Sequence, residues 1–589
     1  MSANGRSMYV FRDGKRSLSG GVLAAGLAAS LQNLECGNGS AARSQAVLDA
    51  LLRAGELECG LTDADAAEAP RLAQLTDLLA GLLAGAVCPA GREVWSRLLP
   101  QEVPPVLQLT PPEGFTYYAL HPLDFADLAG AVPLAGRTAA VIGIRSIGTT
   151  LSAVVAAMLR GRGLHTERIT VRPYGHPYDR HTGFSPSQLR WVKEQQERDA
   201  DFLVVDEGPG MSGSSFLSVG EALVDAGVDR SRVQFLCSRQ ADGSMLCARD
   251  ATARWAQFRS SAVHPATRLP EAAQNYLGGG YWRHELIGPD PALWPASWSQ
   301  MERMKFLSPD GRQWFKFLGL GRFGEQSFER ALVLAEAGYS PVPELAGDGF
   351  VTKAFVPGRI MSQDCLDREV LDRMAGYCAL RQTVFRSLEE PMSGQLETML
   401  RFNVSVEFDV DLPVEPGRLF PVYPVVVDGR MLPHEWVRAH GVPDRPIRDD
   451  CRWRPGWLMK CDSANHGDDH FFPGPATDIC WDLAGAIVEW GLRRDAADYF
   501  VRRYQAASGD DPRGRLPWFL LAYAVFRLGH CKMGAEAMKG SEEEGRLLSA
   551  YRHYRQYAAA LLPPAQGAAA DLPLPAQGQG NQIDPGIGL

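Results

Sequence analysis

The stretch Phe202-Leu-Val-Val-Asp206-Glu207-Gly-Pro-Gly-Met-Ser212-Gly213-Ser214-Ser215 runs from an apolar strand-like segment into two adjacent acids, then into a loop of small residues that opens a helix. Each part has a chemical use. Small hydroxyl and Gly residues let backbone N–H groups converge on a phosphate at a helix N-terminus, where the helix dipole also favours an anion. Adjacent carboxylates at a strand end can accept hydrogen bonds from a cis-diol. Asp206 and Glu207 with Ser212, Gly213, Ser214 and Ser215 therefore describe a holder for a ribose phosphate. The plainer reading is a Gly-rich turn with an acid pair facing solvent, because short motifs often mislead. Upstream, Val141 to Thr150 is an apolar run ending in Arg145, Ser146 and a Gly/Thr turn, the combination of one cation and backbone donors that a pyrophosphate needs. Arg172 to His181, with Arg172, His176, Arg180 and His181, reads as a lid whose cations neutralise a leaving group, or else as an ordinary polar loop.

A second set lies between Trp314 and Leu483. Lys316 alternates with aromatics in Trp314-Phe-Lys-Phe and precedes a helix carrying Glu325 and Glu329. A strand Lys paired with a helix Glu orients nucleotide phosphates, whereas an isolated Lys is more often a surface residue. Asp428 follows the apolar run Val422 to Val427, and Asp462, 34 positions later, closes Trp457-Leu-Met-Lys-Cys. Two such strand-end aspartates suit a base or substrate-orienting role for Asp428 and Mg²⁺ ligation for Asp462. His466, Asp468, Asp469 and His470 form the densest His/Asp cluster. It suits zinc or iron less well than an ordering or substrate-meeting role beside Asp462.

These residues need elements to hold them. Apolar runs at Ala139 to Ile144, Arg168 to Arg172, Phe202 to Asp206 and Val233 to Cys237, each separated by a helix-like stretch, predict a doubly wound parallel sheet. Ligands of such sheets sit beyond the carboxyl ends of the strands. Residues 1–100 read as a small helical domain of unassigned role, from Leu and Ala at helical spacing through Gly21 to Leu34, Ala46 to Leu57 and Ala73 to Ala86. The sheet occupies 101–290. A third unit fills 291–562, opening with a hairpin across Pro309-Asp310-Gly311 and a helix from Glu325 to Ala337. Residues 563–589, rich in Pro, Ala, Gln and Gly, read as a disordered tail.

At 589 residues, with 45% hydrophobic and 22% charged, the chain is long enough for several cores. Sixty Lys+Arg against 69 Asp+Glu give a net charge of −9, which argues against a general hold on nucleic acid or anionic lipid. The longest greasy stretches, such as Leu516 to Phe526, fall short of a membrane span, and Met1 to Lys15 does not resemble a secretory leader. The expected setting is cytoplasmic, with small-molecule substrates as partners, no membrane, no nucleic acid, and room for a homo-oligomer. Eleven cysteines without C-x-x-C spacing read as reduced thiols.

The run 202–215 resembles the phosphoribosyl diphosphate (PRPP) signature of type I phosphoribosyltransferases, over roughly 150 residues. That resemblance implies that Asp206 and Glu207 hold the ribose hydroxyls, Ser212 to Ser215 the 5-phosphate, Arg145 and Ser146 the pyrophosphate, and Arg172 and Arg180 the lid charge. Here the second acid is Glu rather than Asp, and Gly208-Pro-Gly-Met makes the loop longer than the family's by about one residue. The region from Lys316 to Leu483 is similar to aminoglycoside-phosphotransferase-like kinases. This similarity implies a two-lobed fold, ATP and Mg²⁺, Lys316 as nucleotide lysine with Glu329, or else Glu325, as helix partner, a hinge near Lys353 to Pro357, Asp428 as catalytic aspartate, Asp462 as metal ligand, and Asp482-Leu-Ala bracing the catalytic loop. The usual His-Gly-Asp is absent, and His434-Glu435 stands where an Asn would ligate a second metal.

The two resemblances together imply a Mg²⁺-dependent pentosyltransferase using PRPP, with an ATP-dependent phosphotransferase as a second activity. The competing reading is a PRPP- and nucleotide-sensing regulator with degenerate domains.

Overall fold

A computed structural model of the chain describes residues 8–36, 40–86, 92–263, 268–387, 389–391, 393–440, 456–464 and 466–562. The expected tail, 563–589, lies outside them.

The parallel sheet has five strands in the order His165–Val171, Thr138–Ile144, Asp201–Val205, Val233–Cys237 and Arg259–Ala262. The last strand was not read from the sequence; its Arg-Ser-Ser-Ala composition gives no apolar run. Strand order reverses between Thr138–Ile144 and Asp201–Val205, which makes that crevice the switch point of the sheet. Both faces are covered. Val141, Leu203 and Val205 pack on one side with Ile147, Leu151 and Val155, while Ile142, Phe202 and Val204 pack on the other with Phe216 and Leu217. The period of two along a continuous apolar run is what a strand buried on both faces requires.

The N-terminal helices Gly20–Cys36, Ser40–Asp63, Ala69–Leu83 and Arg92–Leu98 lie between two paired antiparallel strands, Arg16–Ser19 and Val106–Leu109. Their leucines share a core with Ala153, Val154 and Ala157 of the helix Ile147–Gly161, so they form an outer layer on the sheet unit. Contact is close: a Cβ at Gly55 would fall 2.0 Å from Thr150 Oγ1.

Beyond the sheet, five antiparallel strands are ordered Asn275–Tyr276, Lys305–Leu307, Gln313–Phe317, Phe350–Ala354 and Glu344–Gly347. The expected hairpin across Pro309-Asp310-Gly311 joins the second and third of these, and the helix Arg322–Glu336 follows. Residues 355–357 then lead to a three-stranded sheet, Gly358–Ile360, Trp436–Ala439 and Leu458–Lys460, set among six helices from Arg368–Val384 to Glu542–Leu561.

The units share cores rather than following one another as separate bodies. Phe306, Phe315, Phe317 and Phe350, in or beside the antiparallel sheet's strands, are buried with Val141 and Leu203 of the parallel one and with Phe125 of the helix Pro122–Ala131. Met8 and Val10, at the other end of the sequence, are buried with Met399, Trp481 and Phe526. Asn403 fixes that insertion, accepting from the Tyr9 backbone N–H at 2.7 Å and donating to the Tyr9 carbonyl at 2.9 Å. Among the described residues no helix is long and apolar enough to cross a membrane.

Candidate active sites

At the switch point the loop after Thr138–Ile144 meets the loop after Asp201–Val205. Gly148 makes this possible, because a Cβ there would sit 2.7 Å from the Val205 carbonyl oxygen. Ser146 caps the helix with φ 112° and ψ −115°, a conformation that costs a non-Gly residue about 1–3 kcal/mol. Its hydroxyl donates to the Thr110 carbonyl at 3.0 Å, and Arg145 lies 3.3 Å from Asp63. Arg172 joins them by donating to the Arg145 carbonyl at 2.8 Å and pairing with Asp63. Arg172 is thus held at the end of its strand by the N-terminal layer, and it does not travel on the hairpin. The hairpin itself is Tyr174–His176 and Asp179–His181, and Arg180 lies on its second strand. Sequence reasoning missed Asp63, whose place here depends on helix packing across more than 80 residues.

Asp206 and Glu207 are half-buried rather than open to solvent. Burial pushes the Asp206 carboxyl up to about 7. Burial, reinforced by Glu113, also raises Glu207, which accepts from the Gly114 backbone N–H at 2.7 Å. Gly213, at φ 67°, starts the helix Ser214–Asp225. The hydroxyls of Ser212 and Ser214 both donate to the Pro177 carbonyl at the hairpin tip, at 2.8 and 2.6 Å. Ser215 is the next residue in that helix. The hairpin is therefore folded onto the loop proposed to hold a phosphate.

In the other half, three remote segments converge. Lys316, on the strand Gln313–Phe317, pairs with Asp462, just past the strand Leu458–Lys460; both are buried. Lys305 adds a second ammonium 3.5 Å from Asp462. His466 bridges the two aspartates, with Nε2 3.2 Å from Asp462 and Nδ1 3.6 Å from Asp428. Asp428 is fully buried, hydrogen-bonded by Tyr377, and 3.2 Å from Lys460. Burial would raise its carboxyl, but Lys460, His466 and Arg381 outweigh that and hold it below the usual range. Asp462 is likewise held down, against burial, by Lys316, His466 and Lys305. Asp482 accepts from the backbone N–H groups of Asp428 and Gly429 at 2.7 and 2.8 Å, the bracing expected of it.

Two expected partners differ. Glu329 lies on the exposed face of its helix, and the buried position beside it is Arg330, which donates to the Ala464 carbonyl at 2.9 Å. Lys316 finds its acid in Asp462 instead. Glu435, standing where an Asn was expected, accepts from Lys460 at 2.9 Å. Lys460 went unnoticed in the sequence although it lies two residues before Asp462, whereas His466 stands out there as part of the His/Asp cluster beside Asp462.

Two cavities meet here. A slot of about 90 Å³ is walled by Ala354, Phe355 and Val356 on one side and Val437 and Met459 on the other, and it ends at Asp462. A chamber of about 860 Å³ continues past Lys305 and Glu435 to His466 and Asp469. Among the described residues no group of three or more His, Cys, Asp and Glu side chains is arranged to hold a metal ion. Mg²⁺ that arrives with phosphates needs only one or two protein carboxylates. Asp462 offers one, with its buried Oδ2 held only by the ion-pair contacts of His466 at 3.2 Å and Lys305 at 3.5 Å, so these residues fit a nucleotide-borne Mg²⁺ and not a resident all-protein site.

No protein-family model matches the chain, and no curated protein matches it. Among solved structures it is similar to a choline/ethanolamine kinase family protein from Mesorhizobium loti, with TM-score 0.29 and 14% identity over 43% of this chain and 84% of that one. Choline kinase LicA from Streptococcus pneumoniae gives TM-score 0.28 and 13% identity over 44% and 89% of the two chains. Macrolide 2'-phosphotransferase MphH from Brachybacterium faecium gives 0.26 and 15%, over 49% and 97%. These are likenesses to phosphotransferase folds over less than half of the chain, and at such TM-scores the weight falls on the geometry above.

Proposed function

We propose that the C-terminal half is an ATP-dependent phosphotransferase acting on a small hydroxylated molecule. One observation carries this reading: Lys316, Asp462, His466 and Asp428, drawn from separate segments, form one chain of side-chain contacts, in which Asp462 lines the hinge-side slot, His466 lines the larger chamber, and Lys316 and Asp428 stand directly behind them. Nucleotide in the slot would place its phosphates against Lys316 and Lys305, and Asp462 would hold Mg²⁺, which neutralises phosphate charge when bound. In transfer, the acceptor hydroxyl oxygen bonds to the γ-phosphorus and the bond to the β,γ-bridging oxygen breaks. ADP leaves with that electron pair, and the hydroxyl proton passes to the Asp428–His466 pair. Asp428, kept ionised by Lys460 and Arg381, orients the hydroxyl more than it attracts the proton. Acceptor-dependent ADP release that Asp428→Asn abolishes supports the assignment. Release that is unchanged in that variant removes Asp428 from it.

A second reading, PRPP binding and phosphoribosyl transfer in the sheet unit, is favoured by the meeting of the Arg145 to Thr150 loop with Asp206 to Ser215 at the switch point. There the acceptor bonds to ribose C1 as the bond to pyrophosphate breaks, with Arg145 and Arg172 beside the leaving group and Arg180 supplied by the hairpin. Pyrophosphate release tests transfer. PRPP binding without release in the presence of candidate acceptors, together with ATP binding without ADP release, would mark a sensor in place of an enzyme.

A further inference from the structure

The chamber's polar wall is unevenly satisfied. Its acids are already engaged. Glu302 accepts from Trp282 Nε1 at 3.1 Å and from Ser297 Oγ at 2.6 Å, and Glu489 accepts from Tyr523 at 2.6 Å while pairing with Arg527 at 3.1 Å. Glu435 holds Lys460, and Asp469 lies 3.0 Å from His470 and 3.8 Å from Arg430. Two polar groups on the same wall are not engaged. Trp298 is 4% exposed, and its Nε1–H has no hydrogen-bond partner; His530, with ring centroid 5.2 Å away, has a buried Nδ1 in the same condition. An indole N–H can only donate, and leaving a buried donor unmet costs about 1–3 kcal/mol. Arg430 and Arg527 also line this chamber. Their charges, after burial itself, disfavour a proton on His530, against the opposing pull of Asp469.

We propose that this chamber binds an anionic, hydroxyl-bearing small molecule as the phosphate acceptor, with its carboxylate or phosphate taken by Trp298 and His530 and a hydroxyl directed to the Asp428 end. The assignment rests on the phosphotransferase reading and narrows it to one class of acceptor. Amines are disfavoured because every carboxylate on the wall already has a partner.

The test is calorimetric titration of the full chain with one hydroxylated scaffold in several charge states: gluconate and glucose 6-phosphate as anions, glucose as the neutral form, glucosamine as the cation. Titrations are done without nucleotide, so that failure of ATP binding, measured separately, is distinguishable from failure of this proposal. At least one anion is expected to bind tenfold or more tightly than glucose and glucosamine, and to lose about tenfold in Trp298→Phe, which keeps the ring and removes the donor. His530→Phe provides the same comparison should Trp298→Phe fold poorly. Equal or tighter binding of glucose or glucosamine, no binding of either anion at millimolar concentration, or anion binding indifferent to both substitutions would overturn the proposal.

Discussion

Lys316 of the antiparallel sheet and Asp462 of the helical lobe form a buried ion pair that ties the two walls of the cleft together. Removing one member leaves the other charge buried, at a cost of about 3–5 kcal/mol. Lys316→Met and Asp462→Asn should each lower the melting temperature, and the double variant should lose less than the sum, with a coupling of about 0.5–3 kcal/mol. Strict additivity in thermal melts would mean that the pair is not formed in solution.

The helix Arg322–Glu336 allows a sharper comparison between neighbours. Glu329→Gln, on the exposed face, should change stability by no more than about 0.5 kcal/mol and leave Mg²⁺-ATP affinity untouched. Arg330→Met loses the bonds to Ala464 and Ser327 and should cost about 1–3 kcal/mol. If Glu329→Gln instead weakens nucleotide binding tenfold, the helix glutamate is the partner of Lys316 when nucleotide is bound.

Asp206 should give the sheet unit a pH dependence near neutrality. Its folded value of about 7 lies above the ordinary 3.8, so the folded chain binds the extra proton between these limits. The stability it contributes is complete below 3.8 and is lost as pH rises through about 7. Melting temperatures of Asp206→Asn should fall less than those of the wild type across that window. Parallel curves would show that the carboxyl is ionised throughout.

The contact of Pro177 with Ser212 and Ser214 predicts competition between the hairpin and a bound phosphate. Addition of PRPP should change amide exchange across 174–181 together with that of 212–215. Protection confined to 212–215, with the hairpin unmoved, would show that phosphate and hairpin tip do not share those hydroxyls.

How much of this was legible in the sequence depended on whether the signal was local. The three inner strands of the parallel sheet announced themselves as apolar runs, because both faces are buried; of the edge strands, His165–Val171 was legible only in its last residues and Arg259–Ala262 not at all. Lys316, Asp428 and Asp462 could be picked out because each sits in or beside an apolar segment. Reading Glu329 as the partner of Lys316 ignored the helix phase, which Ser327, Ala331 and Leu334 set by burying the other side. Asp63 and Pro177 reach the sheet site only through tertiary packing, and no local pattern marks them. The shared cores were hidden for the same reason: Met8 and Val10 are an unremarkable pair of apolar residues until Asn403 closes over the backbone between them.

Those shared cores also determine the form of the decisive experiment, which must use the full chain, since cutting near residue 290 would strip the partners from Phe306, Phe315, Phe317 and Phe350. Calorimetric titration of wild type and Lys316→Met with Mg²⁺-ATP tests the nucleotide site directly. The account predicts a dissociation constant for the wild type within the micromolar-to-millimolar range usual for enzyme substrates, and a weakening of at least about tenfold in Lys316→Met. No heat of binding to the wild type at millimolar nucleotide, or equal affinity in the two proteins, would contradict it.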